Sequence, residues 1–174
     1  MRVLALIWAV VRRSAVQEGP QDILFALEGR GVTEVLPPVP VRPLPTAAPW
    51  VRGLAAVRGA SIVVVDARVL LGFESRPPSS RNRLVVVPMP QPHERRHLGL
   101  WVDAVIDVRP IDFAAAEAHP GVDPGTDGAR SPATSLLGPL GPTPWGLAQL
   151  LQPRQLFDDA GWNAIVARLD EVPT

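Results

Sequence analysis

The string His93-Glu94-Arg95-Arg96-His97 sets two imidazoles four positions apart with a carboxylate beside the first. On a helix that spacing puts both rings on one face, where they hold a zinc ion while the glutamate activates a metal-bound water. The flanks oppose such a helix, because Pro88, Pro90 and Pro92 stand immediately before the string and Gly99 follows it. A third ligand would have to be His119 or a carboxylate, since His119 is the only other histidine. A zinc-dependent hydrolase built on His93, Glu94 and His97 is therefore the alternative reading, set against a solvated hairpin turn between two strands.

Other chemistry is weaker. Asp123 to Gly128 begins like a calcium loop, but Gly125 occupies a ligand position and Thr134 stands where a bidentate glutamate belongs. No G-x-S-x-G elbow, dinucleotide fingerprint or phosphate loop is present. Asp103 and Asp107 are expected to be wetted carboxylates on the outer face of a strand. The lack of cysteine excludes a disulfide framework, a thiolate metal site and a cysteine nucleophile. The 17 basic residues, all arginine, balance 17 acidic ones, so no surplus positive field exists to gather nucleic acid.

The elements that would position these groups are mostly strands. Short runs rich in Val, Ile and Leu recur at Val3–Val11, Ile23–Leu27, Ile62–Val65, Leu84–Val87 and Leu98–Val108. The last alternates, with Leu100, Val102, Ala104, Ile106 and Val108 on one face and Asp103, Asp107 and Arg109 on the other, which predicts one long strand. Asp66 is placed to cap a short helix over Ala67–Leu71 that stops at Gly72. Trp162, Ile165, Val166 and Leu169 recur at helical spacing after Asp158-Asp159, predicting a C-terminal amphipathic helix. Pro37 to Pro45 reads as an edge strand or extended linker, and Glu74–Asn82 and His119–Thr134 as loops. At 174 residues and 47% hydrophobic content the chain suits one domain or two small lobes with an ample core. The apolar run Val3–Val11 closes on Arg12-Arg13 without a small-residue cleavage site, and no stretch approaches the roughly 20 residues of a membrane span. A cytoplasmic protein without direct membrane insertion is expected.

The segment Trp50 to Gly72 resembles the CheW family of bacterial chemotaxis coupling proteins. That family carries a glycine, an N-L-R-G turn, an aliphatic strand reading I-x-P-V-x-D-L and a short helix; here Gly53, Arg58-Gly59, Val64-Val65-Asp66 and Leu70-Leu71-Gly72 hold the matching places. Upstream, Val32-Thr-Glu34-Val35 is similar to the family's V-x-E-I, after Phe25-Ala-Leu-Glu28 in place of its aromatic second strand. Downstream, Leu98 to Val108 is similar to its G-I-x-V-D-x-V-x-x-V strand, and Gly146 to Phe157 fits the last strand and the start of a closing helix. The chain departs from the pattern at Ala56-Val57 for Asn-Leu, Val63 for the strand proline, Ala67 for leucine, and a long first turn over Arg12–Asp22, which marks a diverged member.

The resemblance implies a mainly β fold: two small five-stranded β-barrel lobes packed on each other in a single domain over 1–158, followed by a C-terminal helix and tail over 159–174. It implies a non-catalytic adaptor, with no cofactor, joining the cytoplasmic tip of a methyl-accepting chemoreceptor to the regulatory domain of a CheA-type histidine kinase. Such an adaptor works in a chemosensory array for chemotaxis, motility or surface sensing, cytoplasmic and associated with membrane-bound receptors. The receptor-binding residues it implies are Val32, Glu34, Gly53, Arg58, Gly59 and Gly99. Arg58 is the candidate charged anchor, with an internal pair to Glu34 as its other reading. Val32 carries a core reading beside the interface one, and Gly99 is expected at a strand entry. The kinase-binding residues are not assignable by this route. A barrel domain binding a small ligand is the third class of function.

Overall fold

The computed structural model describes residues 2–10, 23–45, 47–89, 96–113 and 137–152. In β1 (Arg2–Val10) nearly every residue is apolar, and the reason is that both faces are covered. Val3, Ala5, Ile7 and Ala9 point into one cluster, while Leu6, Trp8 and Val10 point into another. The same holds for β2 (Ile23–Glu28), which pairs antiparallel with β1. Further along come a 3-10 turn at Gly29–Gly31 and the strands β3 (Glu34–Leu36), β4 (Val51–Val57) and β5 (Ala60–Asp66). These lead into helix α1 (Ala67–Leu70), and the chain continues through β6 (Arg83–Pro88), β7 (His97–Val102), β8 (Ala104–Asp112), β9 (Leu137–Thr143) and β10 (Gly146–Leu151).

The strands form two five-stranded sheets, ordered β8-β1-β2-β10-β9 and β3-β6-β7-β5-β4. The first, lobe 1, curls around Val3, Ile7, Leu24, Ile111, Phe113 and Leu150. Its end strands meet by packing: a Cβ on Gly141 of β9 would lie 2.5 Å from Ile111 of β8. The second, lobe 2, curls around Val57, Ile62, Val64, Leu84, Val86 and Trp101. Its open side is covered by the proline-rich segment, where Val39 and Val41 pack on the lobe core and Arg42 exchanges two 2.8 Å backbone hydrogen bonds with Leu54 of β4. The expected two-lobe, mainly β fold is thus present. The lobes are curled sheets rather than closed barrels, because no hydrogen-bonded ladder joins their end strands among the described residues. A third core, containing Trp8 and Phe25 from lobe 1 and Val65, Val87 and Leu100 from lobe 2, fills the seam between them.

The single long strand expected over Leu98–Val108 is two strands in two sheets. The chain leaves lobe 2 after Val102, turns at Asp103 and enters lobe 1 at Ala104. A second interruption follows, since Ile7 pairs Asp107 and Trp8 pairs Val105, which leaves Ile106 as the extra residue of a bulge. Even-numbered apolar residues that a single strand would bury therefore divide: Leu100 and Val102 lie in the seam, whereas Val108 is 50% exposed. Asp103 is likewise not a wetted carboxylate. Its side chain is 13% exposed and accepts a 2.6 Å hydrogen bond from Arg68 Nη1. Asp107, by contrast, stays half-exposed 3.8 Å from Arg109.

Helix α1 forms where expected. The Asp66 carboxylate accepts from the amides of Arg68 and Val69, satisfying donors that the first helical turn leaves free. Gly72, at φ +83, ends it in the left-handed conformation that glycine adopts without strain. The C-terminal amphipathic helix, the His119–Thr134 loop and the long turn over Arg12–Asp22 lie outside the described residues.

Candidate functional site

The β4–β5 hairpin turns on Arg58 and Gly59, both at positive φ, +49 and +80. That pair of angles matches the twist of the flanking strands, and the second position takes glycine with ease. Arg58 is the only non-glycine residue at positive φ among those described. Its side chain is 78% exposed and reaches back to β3, where Nε lies 3.0 and 2.9 Å from the two oxygens of Glu34 and Nη2 lies 2.9 Å from Oε2. β3 and β4 are the opposite edges of lobe 2, so this fork ties the two ends of its sheet together. The hydrogen bond from Arg58 holds the Glu34 carboxyl below its ordinary value; partial desolvation opposes this, and the charges of Arg58 and His97 add to it. The same pairing raises Arg58.

Val32 enters β3 from the 3-10 turn, its amide bonded to the Gly29 carbonyl at 3.1 Å, and is half-buried against the seam core. On the other side of that turn, Gly29 packs against Leu4 of β1, which is 54% exposed. Leu4 and Val108 share the outer face of lobe 1, since Leu6 faces Val108 across the β1–β8 ladder and Leu4 is two residues away. Leu4 and Val108 are thus exposed apolar residues of lobe 1, and the Gly29–Gly31 turn beside Leu4 leads to Val32.

The strand registers place three of the expected site residues on one row. Glu34, Val86, Gly99, Val64 and Gly53 face one another in turn across all five strands of lobe 2. The two glycines do packing work there. A Cβ on Gly99, near the start of β7, would sit 2.6 Å from Leu84 Cδ1, so a larger residue there would disturb the packing inside the lobe. Gly53, at φ +140, lets the Arg42 carbonyl come within 1.9 Å of where a Cβ would stand. Gly59 has open space around it. Val32, Glu34, Arg58 and Gly59 thus form the accessible part of the expected set. Leu4 and Val108 were not found by sequence reasoning, because Leu4 lies in a run without alternation and Val108 lies beyond the crossing and the bulge.

His97 opens β7 opposite Pro88, on a strand and not on a helix. His93 and Glu94 lie outside the described residues. Among the described residues no group of three His, Asp or Glu side chains is placed to hold a metal, and no helix is long and apolar enough to cross a membrane.

A family model for the CheW-like domain matches residues 18–160. The chain belongs to the CheW-like family. This CheW-like chain is 30% identical over 123 residues to the chemotaxis protein CheW of Rhizobium meliloti (strain 1021), covering 71% of this chain and 74% of that protein. Its fold is also that of the scaffolding protein TtCheW from Thermoanaerobacter tengcongensis, whose crystal structure superposes with a TM-score of 0.65 at 24% identity, covering 91% of this chain and 96% of that one.

Proposed function

We propose that this chain is a non-catalytic adaptor that couples the helical tip of a chemoreceptor to a CheA-type histidine kinase in a chemosensory array. Family membership and the likeness to a chemotaxis protein and a scaffolding protein support the adaptor class. The observation that carries the receptor side is the exposed Arg58 turn held on Glu34, together with the exposed apolar residues Leu4 and Val108 of lobe 1. A receptor tip is a helical hairpin, whose apolar stripe needs a complementary strip and whose polar flank needs a charged group to fix register. Leu4, Val32 and Val108 supply the first. Arg58 supplies the second: Nη1 makes no hydrogen bond to a described residue, and the guanidinium is already oriented by Glu34. Gly59 keeps the turn that aims it, while Gly53 and Gly99 support the lobe beneath. The kinase regulatory domain is proposed to bind elsewhere, on residues left unassigned.

The test is a titration of the purified chain against the regulatory domain of a CheA-type kinase and, separately, against a receptor tip fragment. Both should saturate. Arg58→Ala and Glu34→Ala should each weaken the receptor fragment by about tenfold or more while leaving kinase affinity unchanged. Failure of both partners to bind at high micromolar concentration removes the coupling role.

A further inference from the structure

The polar end of lobe 2, remote in the fold from the Arg58 turn, holds a cluster that the proposed receptor surface does not use. Asp103 is the single residue between β7 and β8, where the chain passes from lobe 2 to lobe 1. Arg68 Nη1 donates to its carboxylate at 2.6 Å, and the two side chains are 7% and 13% exposed. Arg68 is itself held through Nε by the Glu74 carbonyl at 2.9 Å, on a helix whose cap, Asp66, is bonded to Arg52. From another direction Asn82 Nδ2 donates to the carbonyls of Val102 at 3.2 Å and Asp103 at 3.4 Å. Lobe 2 thus grips the crossing by both side chain and backbone.

Lobe 1 takes up the same crossing directly, since Ala104 pairs with Ala9 and Val105 with Trp8 of β1. The β1–β8 register slips between Ile7 and Trp8, just after β8 begins, and Trp8 Nε1 is buried in the seam with no acceptor among the described residues. The outward crossing, from β2 of lobe 1 to β3 of lobe 2, is the Gly29–Gly31 turn, whose two glycines accommodate changes of backbone angle.

We propose that Arg68, Asp103 and Asn82 form a clasp that fixes the angle between the lobes, and through that angle positions the receptor surface. The second half rests on the receptor reading above. That surface divides between the lobes, with Leu4 and Val108 on lobe 1 and Glu34 and Arg58 on lobe 2, so a change of angle at Asp103 changes their spacing. Arg68, Asp103 and Asn82 are positioning residues: Arg68 bonds the Asp103 side chain, and Asn82 bonds the backbone of the crossing.

The chain has no cysteine, so spin labels placed through Pro40→Cys on lobe 2 and Leu147→Cys on lobe 1 report the interlobe distance by pulsed dipolar spectroscopy. Asp103→Asn keeps the shape of the side chain and the carbonyl bonds to Asn82 while removing the charge. It should shift the distance distribution and, in the unlabelled chain, weaken the receptor tip fragment by about tenfold. Asp107→Asn, a half-exposed position of β8 that contacts Arg109 and not the clasp, should do neither. Arg68→Lys keeps the charge without the fork, and serves if Asp103→Asn does not fold. An unchanged distribution in either folded variant, whatever its melting temperature, overturns the clasp as a positioning device. A shifted distribution with unchanged receptor affinity overturns the link to the receptor surface. A shifted distribution in a chain that never binds the receptor fragment leaves the clasp standing and removes the receptor reading.

Discussion

Glu34 and Arg58 show how one ion pair links titration to the integrity of a lobe. Because the folded chain holds the Glu34 carboxyl below its ordinary value of 4.5, the pair contributes stability above that value and loses it as pH falls through the lower, folded value. Acid unfolding followed by circular dichroism should therefore show the unsubstituted chain and Glu34→Gln converging at low pH and separated by a constant difference from pH 6 upward, with the separation shrinking in high salt. A difference that grows toward acid pH would refute the assignment. Both residues were legible by resemblance to a family pattern, and their pairing was the other reading of Arg58. Asp103 was not legible, since its partner Arg68 lies 35 positions away and an aspartate at alternate strand positions ordinarily faces water. Only the crossing between sheets brings those two together under cover.

Among the elements, the short aliphatic runs identified β1, β2, β5 and β6 because each is apolar on both faces and bounded by turn residues. The proline-rich segment was read as an edge strand or extended linker and bridges β4 at Arg42, whereas β3 and β9 were harder to read, for a shared reason. They lie at edges, where prolines such as Pro139 and Pro142 are tolerated and burial is one-sided, so neither length nor periodicity marks them. β4 and its strap illustrate what such an edge requires. Gly53→Ala would drive a methyl into the Arg42 carbonyl, at a backbone angle that L residues rarely adopt, and should cost about 3 kcal/mol in denaturant unfolding. Gly59→Ala, with open space around it, bears only the left-handed conformation and should cost about 1 kcal/mol. Equal losses at the two sites would show that the strap is not closed on β4 as described.

At the scale of the molecule, the seam core unites the lobes. Burying Trp8, Phe25, Val65 and Leu100 together means that neither lobe can be exposed alone without wetting a large apolar face. Thermal unfolding followed by near-ultraviolet and far-ultraviolet circular dichroism should give one coincident transition. Two separated transitions would mean that the seam contributes little. The order of the strands has a further consequence, for synthesis. Lobe 2 lies wholly between β2 and β8, and β10, the last described strand, inserts in parallel beside β2 in the middle of its sheet. A ribosome therefore delivers a complete lobe 2 before β10 exists to cover β2, and at typical elongation rates the interval from Val102 to Leu151 lasts on the order of several seconds. During it the hairpin of Leu6, Trp8, Phe25 and Leu27 presents its oily side to a finished lobe 2, which makes the nascent protein its own first shelter against aggregation.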